Sequence, residues 1–127
     1  MCLHLREYVQ RVRDCCDTYC VILILDEVMC GIGYEDSLFA REAKKIVPDI
    51  VCIAKCLSAA YHALGAMVCS EPTYDTIKTG SGMFQYGHNY VGHPVAKPAG
   101  YVSVKKIKSA QMVDRSGKLG EILAEAL

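Results

Sequence analysis

The chain has 127 residues, enough for one domain with a modest core. Its 14 Lys plus Arg balance 14 Asp plus Glu, so no net charge draws it to nucleic acid or to an anionic membrane surface. Hydrophobic residues make up 52%, and no apolar run approaches the ~18 residues of a membrane span, so a globular class is expected.

The opening residues, MCLHLREYVQRVRD, mix charged and apolar positions and do not read as a signal peptide. Over 3–17, Leu5, Val9, Val12 and Cys16 recur at helical spacing, with Arg6, Gln10, Arg13 and Asp14 between them. An amphipathic helix is predicted there. Residues 21–25 are unbroken aliphatic, as in a strand buried on both faces of a parallel sheet. DEVMCGIGYED (26–36) reads as a loop, and Ser37 is placed to cap a short helix over 38–45 that Pro48 closes off. Residues 50–54 are a second buried strand, 55–64 a loop of small residues, and 65–70 a third strand. Pro72 begins a helix over about 72–78, where its missing N–H costs little. TGSGMFQYGHNYVGH (79–93) is long, glycine-rich and aromatic, the composition of a functional loop. Helical pattern returns from Pro94 to about 108, and a last helix covers about 110–126 with a break near Gly117.

Helix, strand, helix, strand, strand, helix, helix is an α/β order. The first two strands with their crossover are expected to be parallel. A chain that starts and ends on helices looks like the middle of a larger domain. The basic run KKIK (105–108) reads as a solvated helix face. Eight cysteines, at 2, 15, 16, 20, 30, 52, 56 and 69, form no CxxC pair. Most lie in apolar runs, where a free thiol behaves as a small hydrophobe. That usage points to a reducing cytosol and to no metal site. His88 and His93 lack a third ligand nearby.

The chemistry lies at the ends of the first two apolar runs. VILILD (21–26) ends on Asp26, and DIVCIA (49–54) is followed by Lys55. In an open α/β sheet, ligands sit beyond the carboxyl ends of the strands, so one acid and one amine would share a rim. A lysine that becomes neutral is an amine nucleophile and forms Schiff bases with carbonyls. An acid opposite it can pair with a protonated pyridine nitrogen, the arrangement used by pyridoxal phosphate (PLP) enzymes.

Three stretches carry a resemblance: LILDEVMCGIG (23–33), VPDIVCIAKCLSAAYHALGAM (47–67) and GSGMFQYGHNYVGHPVA (80–96). In order and spacing, with Lys55 lying 29 residues after Asp26, the chain resembles the class III aminotransferases. These are PLP-dependent, fold-type-I enzymes acting on ω-amino acids, amines and related donors. The resemblance covers essentially the whole chain and only the central part of a family member's large cofactor-binding domain. It implies a partial fold-type-I large domain of about three strands over 1–127, without the N-terminal segment or the C-terminal small domain.

By position, the resemblance makes Asp26 the acid on the pyridine nitrogen and Val28 the apolar residue on one ring face. Lys55 becomes the Schiff-base lysine of an internal aldimine, buried beside the ring and moving the Cα proton afterwards. Asn89 stands where relatives have a Thr that reaches the phosphate of the partner subunit's cofactor. Cys56 and Ala60 replace glycines beside the lysine, which strains any turn that needs φ > 0 there. Ala63 replaces a Pro, and Tyr34 an Arg. The implied activity is amino transfer from an amine or amino acid to a keto acid or aldehyde, in a homodimer, with PLP as cofactor and a cytoplasmic location. A non-catalytic remnant or interaction module of the same fold stays open, as does a thiol-redox or metal protein resting on the cysteines alone. Glu27 reads as structural or solvent-facing, His62 as a surface or packing residue, and Tyr61, Tyr86 and Tyr90 as packing residues or the lining of a mouth. The GSG at 80–82 is a weak phosphate-cradle pattern.

Overall fold

A computed structural model describes residues 6–33 and 37–127. Leu5, at the expected start of the first helix, and Tyr34 lie outside the described residues. Helix α1 (Arg6–Tyr19) runs two residues past its predicted end. Cys20 then takes a left-handed φ of 54°, and the Val21 N–H closes back on the Cys16 carbonyl at 2.9 Å. Strand β1 (Ile24–Asp26) follows, then the five-residue α2 (Ala40–Lys44), β2 (Ile50–Ile53) and β3 (Ala66–Cys69). Helices α3 (Glu71–Thr79), α4 (Ala96–Ser109) and α5 (Met112–Glu125) complete the described chain. Pro72 falls in the first turn of α3 and Pro98 in that of α4, where neither interrupts a helical hydrogen bond. The expected break at Gly117 is absent, and α5 passes through it continuously.

The sheet has the order β1-β2-β3. β1 and β2 are parallel, as the crossover predicts, with Ile24 opposite Ile50 and Asp26 opposite Cys52. β3 turns back antiparallel on β2, from Cys69 opposite Ile50 to Ala66 opposite Ile53. The twelve-residue link between β2 and β3 carries no α-helix, which is what lets the strand return beside its neighbour.

Asp49 ties the upstream ends of the strands together. Its carboxylate accepts the Leu23 N–H at 2.8 Å and the Arg13 guanidinium at 2.9 Å. Its own N–H donates to the Leu23 carbonyl, and its carbonyl accepts the Ser70 N–H. Arg13 also pairs with Asp17 on its own helix at 2.7 Å. These bonds hold the Asp49 carboxyl below its ordinary range, first through the Leu23 N–H and then through Arg13.

The core lies on one face of the sheet. Val51 and Ile53 alternate inward from β2 and meet Ile32 and Leu57, with Phe39, Cys56, Leu64, Val104 and Ile107 packed around them. Each fully buried aliphatic side chain contributes roughly 1.5–3 kcal/mol. Gly100 lets α4 come close to the segment after β2: a Cβ there would meet Leu64 Cδ2 at 2.5 Å.

The expectation of a first strand buried on both faces is not met. Leu23 is buried, but Val21, Ile22 and Ile24 are more than half exposed. β1 is an edge strand with no further partner among the described residues, so its aliphatic run outlasts the surface available to cover it. Ser37 does not cap α2; its hydroxyl donates to the Phe39 carbonyl. Glu42 accepts the Leu38 and Phe39 N–H groups instead.

Candidate active site

The parallel pairing of β1 and β2 puts their carboxyl ends on one rim. Neighbouring strands run about 4.8 Å apart. Asp26 is the last residue of β1 and sits beside Cys52, so Lys55 emerges three residues further on, just past the end of the adjacent strand. The Glu27 N–H donates to the Cys52 carbonyl at 2.9 Å and extends the pairing one step past the sheet.

Asp26 is exposed, and its Oδ1 accepts the Val28 N–H at 3.0 Å, an Asx-type turn that starts the loop. No described residue donates to its other oxygen. Val28 is half-buried. Glu27 is the anchor of this loop and only 3% exposed. Its two carboxylate oxygens accept the Ala40 and Arg41 N–H groups at 2.8 and 3.0 Å, satisfying free donors at the start of α2. Of the two roles read from the sequence, the structural one holds and the solvent-facing one does not. Gly31 is required by the same packing: a Cβ would lie 2.7 Å from the Glu27 carbonyl oxygen.

Lys55 opens a single 3-10 turn, Lys55–Ser58, and adopts a left-handed φ of 47°. The Leu57 N–H bonds to the Ala54 carbonyl and the Ala59 N–H to that of Cys56, which fixes the turn. Ser58 is buried, and its hydroxyl donates to the His62 carbonyl. Ala59 and Ala60 follow at φ 50° and 63°. The strain expected from replacing glycine is therefore present at Ala60. It is not present at Cys56, whose φ is not positive; Lys55 and Ala59 take the left-handed conformation instead. Lys55 is exposed, against the expectation of burial. Its Nζ lies against the sulfur of Met29, three residues after Asp26. Nothing in the sequence singled out Met29, because the contact joins positions 26 residues apart.

Lys55, Cys56, Ser58 and His62 line a cleft of about 730 Å³. Asp26 and Val28 are not part of its wall. A neighbouring cleft of about 830 Å³ forms where Tyr86, His88, Tyr90 and His93 meet residues 62–67. The His62 and His93 rings lie 4.7 Å apart, tilted by 35°, and His93 Nδ1 accepts the Val95 and Ala96 N–H groups at the start of α4. His93 thus ties the chain entering α4 to that helix's first N–H groups, a role invisible in the sequence. Among the described residues, no three His, Cys, Asp or Glu converge as a metal site. Tyr61 is 87% exposed and borders a separate apolar groove along α4.

Asn89 is exposed on the 80–93 segment, lines neither cleft, and makes no side-chain hydrogen bond among the described residues. Gly82 has a φ of 75° with open space around it, and the Ser81 hydroxyl is turned to the Met83 carbonyl. The structure thus brings Asp26, Val28 and Lys55 to one rim and leaves Asn89 apart. No described helix is long and apolar enough to cross a membrane.

An acid at the end of β1 and an amine just past the end of the parallel β2 lie on the rim where open α/β sheets bind their ligands. Comparison with known proteins makes this specific. The family model "Aminotransferase class-III" matches residues 1–127, and the chain belongs to that family. An aminotransferase of Gibberella zeae is 38% identical over 120 residues, covering 94% of this chain and 24% of its own length. An amine transaminase from an uncultivated Pseudomonas species, solved in its PLP-bound form, superposes with a TM-score of 0.89 at 32% identity, covering 94% of this chain and 28% of its own. Taurine:2-oxoglutarate aminotransferase from Bifidobacterium kashiwanohense, in complex with PLP and glutamate, superposes at 0.88 with 30% identity, covering 93% and 26%. The chain spans about a quarter of the length of the curated relatives it matches.

Proposed function

We propose that this chain carries the acid-and-lysine face of a PLP-dependent transaminase site and forms the central segment of its large cofactor domain. The observation that supports this best is the parallel register that sets Asp26 beside Cys52, three residues before Lys55, so that acid and amine share one rim. The donor set fits the cofactor. Asp26 has a carboxylate oxygen free to hold a pyridine nitrogen protonated. Val28 offers its methyl groups to a ring face, and Lys55 presents an exposed amine to an aldehyde carbon.

When bound, PLP supplies an electron sink for the charge left as an amino substrate loses its Cα proton. Asp26 keeps that sink cationic. Lys55, as a free amine, would take the proton from the substrate Cα and return it at the cofactor carbon that carried the aldehyde. The substrates are an amino donor and a keto or aldehyde acceptor. The 80–93 segment, with Asn89 exposed on it, serves a homodimer by reaching the partner's cofactor phosphate. A cytoplasmic location suits the free thiols of the described cysteines.

Titration of the purified chain with PLP, followed by borohydride and peptide mapping, tests the reading. One dominant label on Lys55 is expected. Label spread evenly over the lysines refutes it. A second reading, a non-catalytic protein of the same fold, draws on the left-handed Ala60 and on the outward-facing Ser81 and Gly82. Oligomerisation without PLP affinity would select it.

A further inference from the structure

We propose that the cleft of about 830 Å³ between residues 62–67 and the 80–93 segment binds a small organic carboxylate, with its oxygens on His88, His93 and Lys97 and its hydrocarbon part on Leu64 and Met67. Nothing in this depends on the chemistry of Lys55.

The hydrogen bonds of the imidazole rings decide what the cleft can hold. His88 Nδ1 accepts the Tyr90 N–H at 3.1 Å, and His93 Nδ1 accepts the Val95 and Ala96 N–H groups at 3.2 and 3.4 Å. A ring nitrogen that accepts an N–H carries no proton, so the ring keeps its proton on Nε2. His88 and His93 therefore offer Nε2–H donors. His62 has the opposite tautomer. Its Nδ1 lies 2.9 Å from the Ala63 carbonyl, which can only accept, so the lone pair is on Nε2. A metal ion needs lone pairs, and of the three rings only His62 has one to spare. An anion needs donors, and His88 and His93 supply two.

Lys97 adds a positive charge. A Cβ on Gly92 would lie 3.2 Å from Lys97 Nζ, so the amine rests over the turn that joins His88 to His93. Among the described residues no carboxylate pairs with Lys97, and no Asp or Glu lines the cleft. A cleft lined by one sign of charge concentrates ligands of the other. The rings also form a connected row. His88 and Tyr90 have centroids 6.3 Å apart, Tyr90 and His93 6.4 Å, and His93 and His62 4.7 Å. With Leu64 and Met67 they give the cleft an apolar wall and room for more than an inorganic anion, which suits an acid with a hydrocarbon body. The cleft shares His62, Ala63 and Leu64 with the Lys55 cleft, so an acid held here stands beside it.

Equilibrium dialysis of radiolabelled hexanoate against the purified chain is the test, since it reads binding in any state of association. Saturable binding is expected. His88→Phe keeps a ring without a donor, and Lys97→Met keeps the stem without the charge. Each should weaken binding about threefold to tenfold, the size of one ordinary hydrogen bond. Both side chains are exposed, so circular dichroism should match the wild type. Lys44→Met, on α2 outside the cleft, should bind as the wild type does. Hexan-1-ol and inorganic phosphate should displace hexanoate poorly. Uptake that does not saturate overturns the proposal, as does unchanged affinity in either cleft variant. Equal weakening in Lys44→Met overturns it too, because general charge would then suffice. Phosphate competing as well as hexanoate would mark a bare anion site and reject the organic ligand. Zinc binding that His88→Phe removes would reject the tautomers on which the donors depend.

Discussion

Replacing Glu27 tests how the site loop is held. The Glu27 carboxylate is almost fully buried and accepts two backbone N–H groups from the start of α2, at 2.8 and 3.0 Å. Glu27→Gln keeps the volume but turns one acceptor into an NH₂ group that faces a donor. A hydrogen bond to a charged group is worth about 1.5–3 kcal/mol, and losing a carboxylate from a helix N-terminus costs about 0.3–1 kcal/mol more. Glu27→Gln should therefore destabilise the chain by about 2–4 kcal/mol. Urea unfolding followed by circular dichroism measures this as a lower midpoint at unchanged slope. Because the same loop carries Asp26, PLP capture at Lys55 should also fall in the folded variant. A stability within about 0.5 kcal/mol of wild type, the range of ordinary surface changes, would refute the anchoring argument.

Asp49 predicts a pH dependence. Its carboxyl is held below the ordinary 3.8, so the stabilisation is complete above that value and is lost as pH falls through the lower folded-state value. The stability gap between wild type and Asp49→Asn should be flat above about pH 5 and shrink below about pH 4, as urea titrations at each pH would show; a gap that widens on acidification contradicts the assignment. Gly31→Ala should destabilise by about 1–3 kcal/mol in the same assay, because the new Cβ meets the backbone oxygen of Glu27 at 2.7 Å; a neutral change would mean that the loop relaxes freely. Lys55→Ala should abolish the dominant PLP label while leaving the unfolding curve nearly unchanged, since the side chain is exposed. The isolated chain should self-associate, because Val21, Ile22, Ile24 and Val68 are all more than half exposed on or beside edge strands; a monodisperse, cooperatively unfolding monomer in sedimentation would contradict this.

Much of the fold was legible because its signals are local. Aliphatic runs bounded by Gly, Pro and charged residues located all three strands, and helical spacing located α1, α3, α4 and α5. Asp26 and Lys55 could be read as strand-end residues because each follows such a run. What stayed hidden depends on residues far apart in the chain. Periodicity does not say that β3 returns antiparallel to β2, since the same alternation suits either direction. Nor does it show that Glu27 reaches α2, or that His93 bonds the start of α4 beside the His62 ring. Exposure was also misjudged. An aliphatic run records that a strand is built for burial, but only the sheet order shows that β1 lies at an edge with nothing described beyond it. The sequence alone thus determined which elements form and which chemical groups end them. The tertiary structure decided which groups meet, because strand pairing, packing and side-chain contacts join positions that no local pattern links.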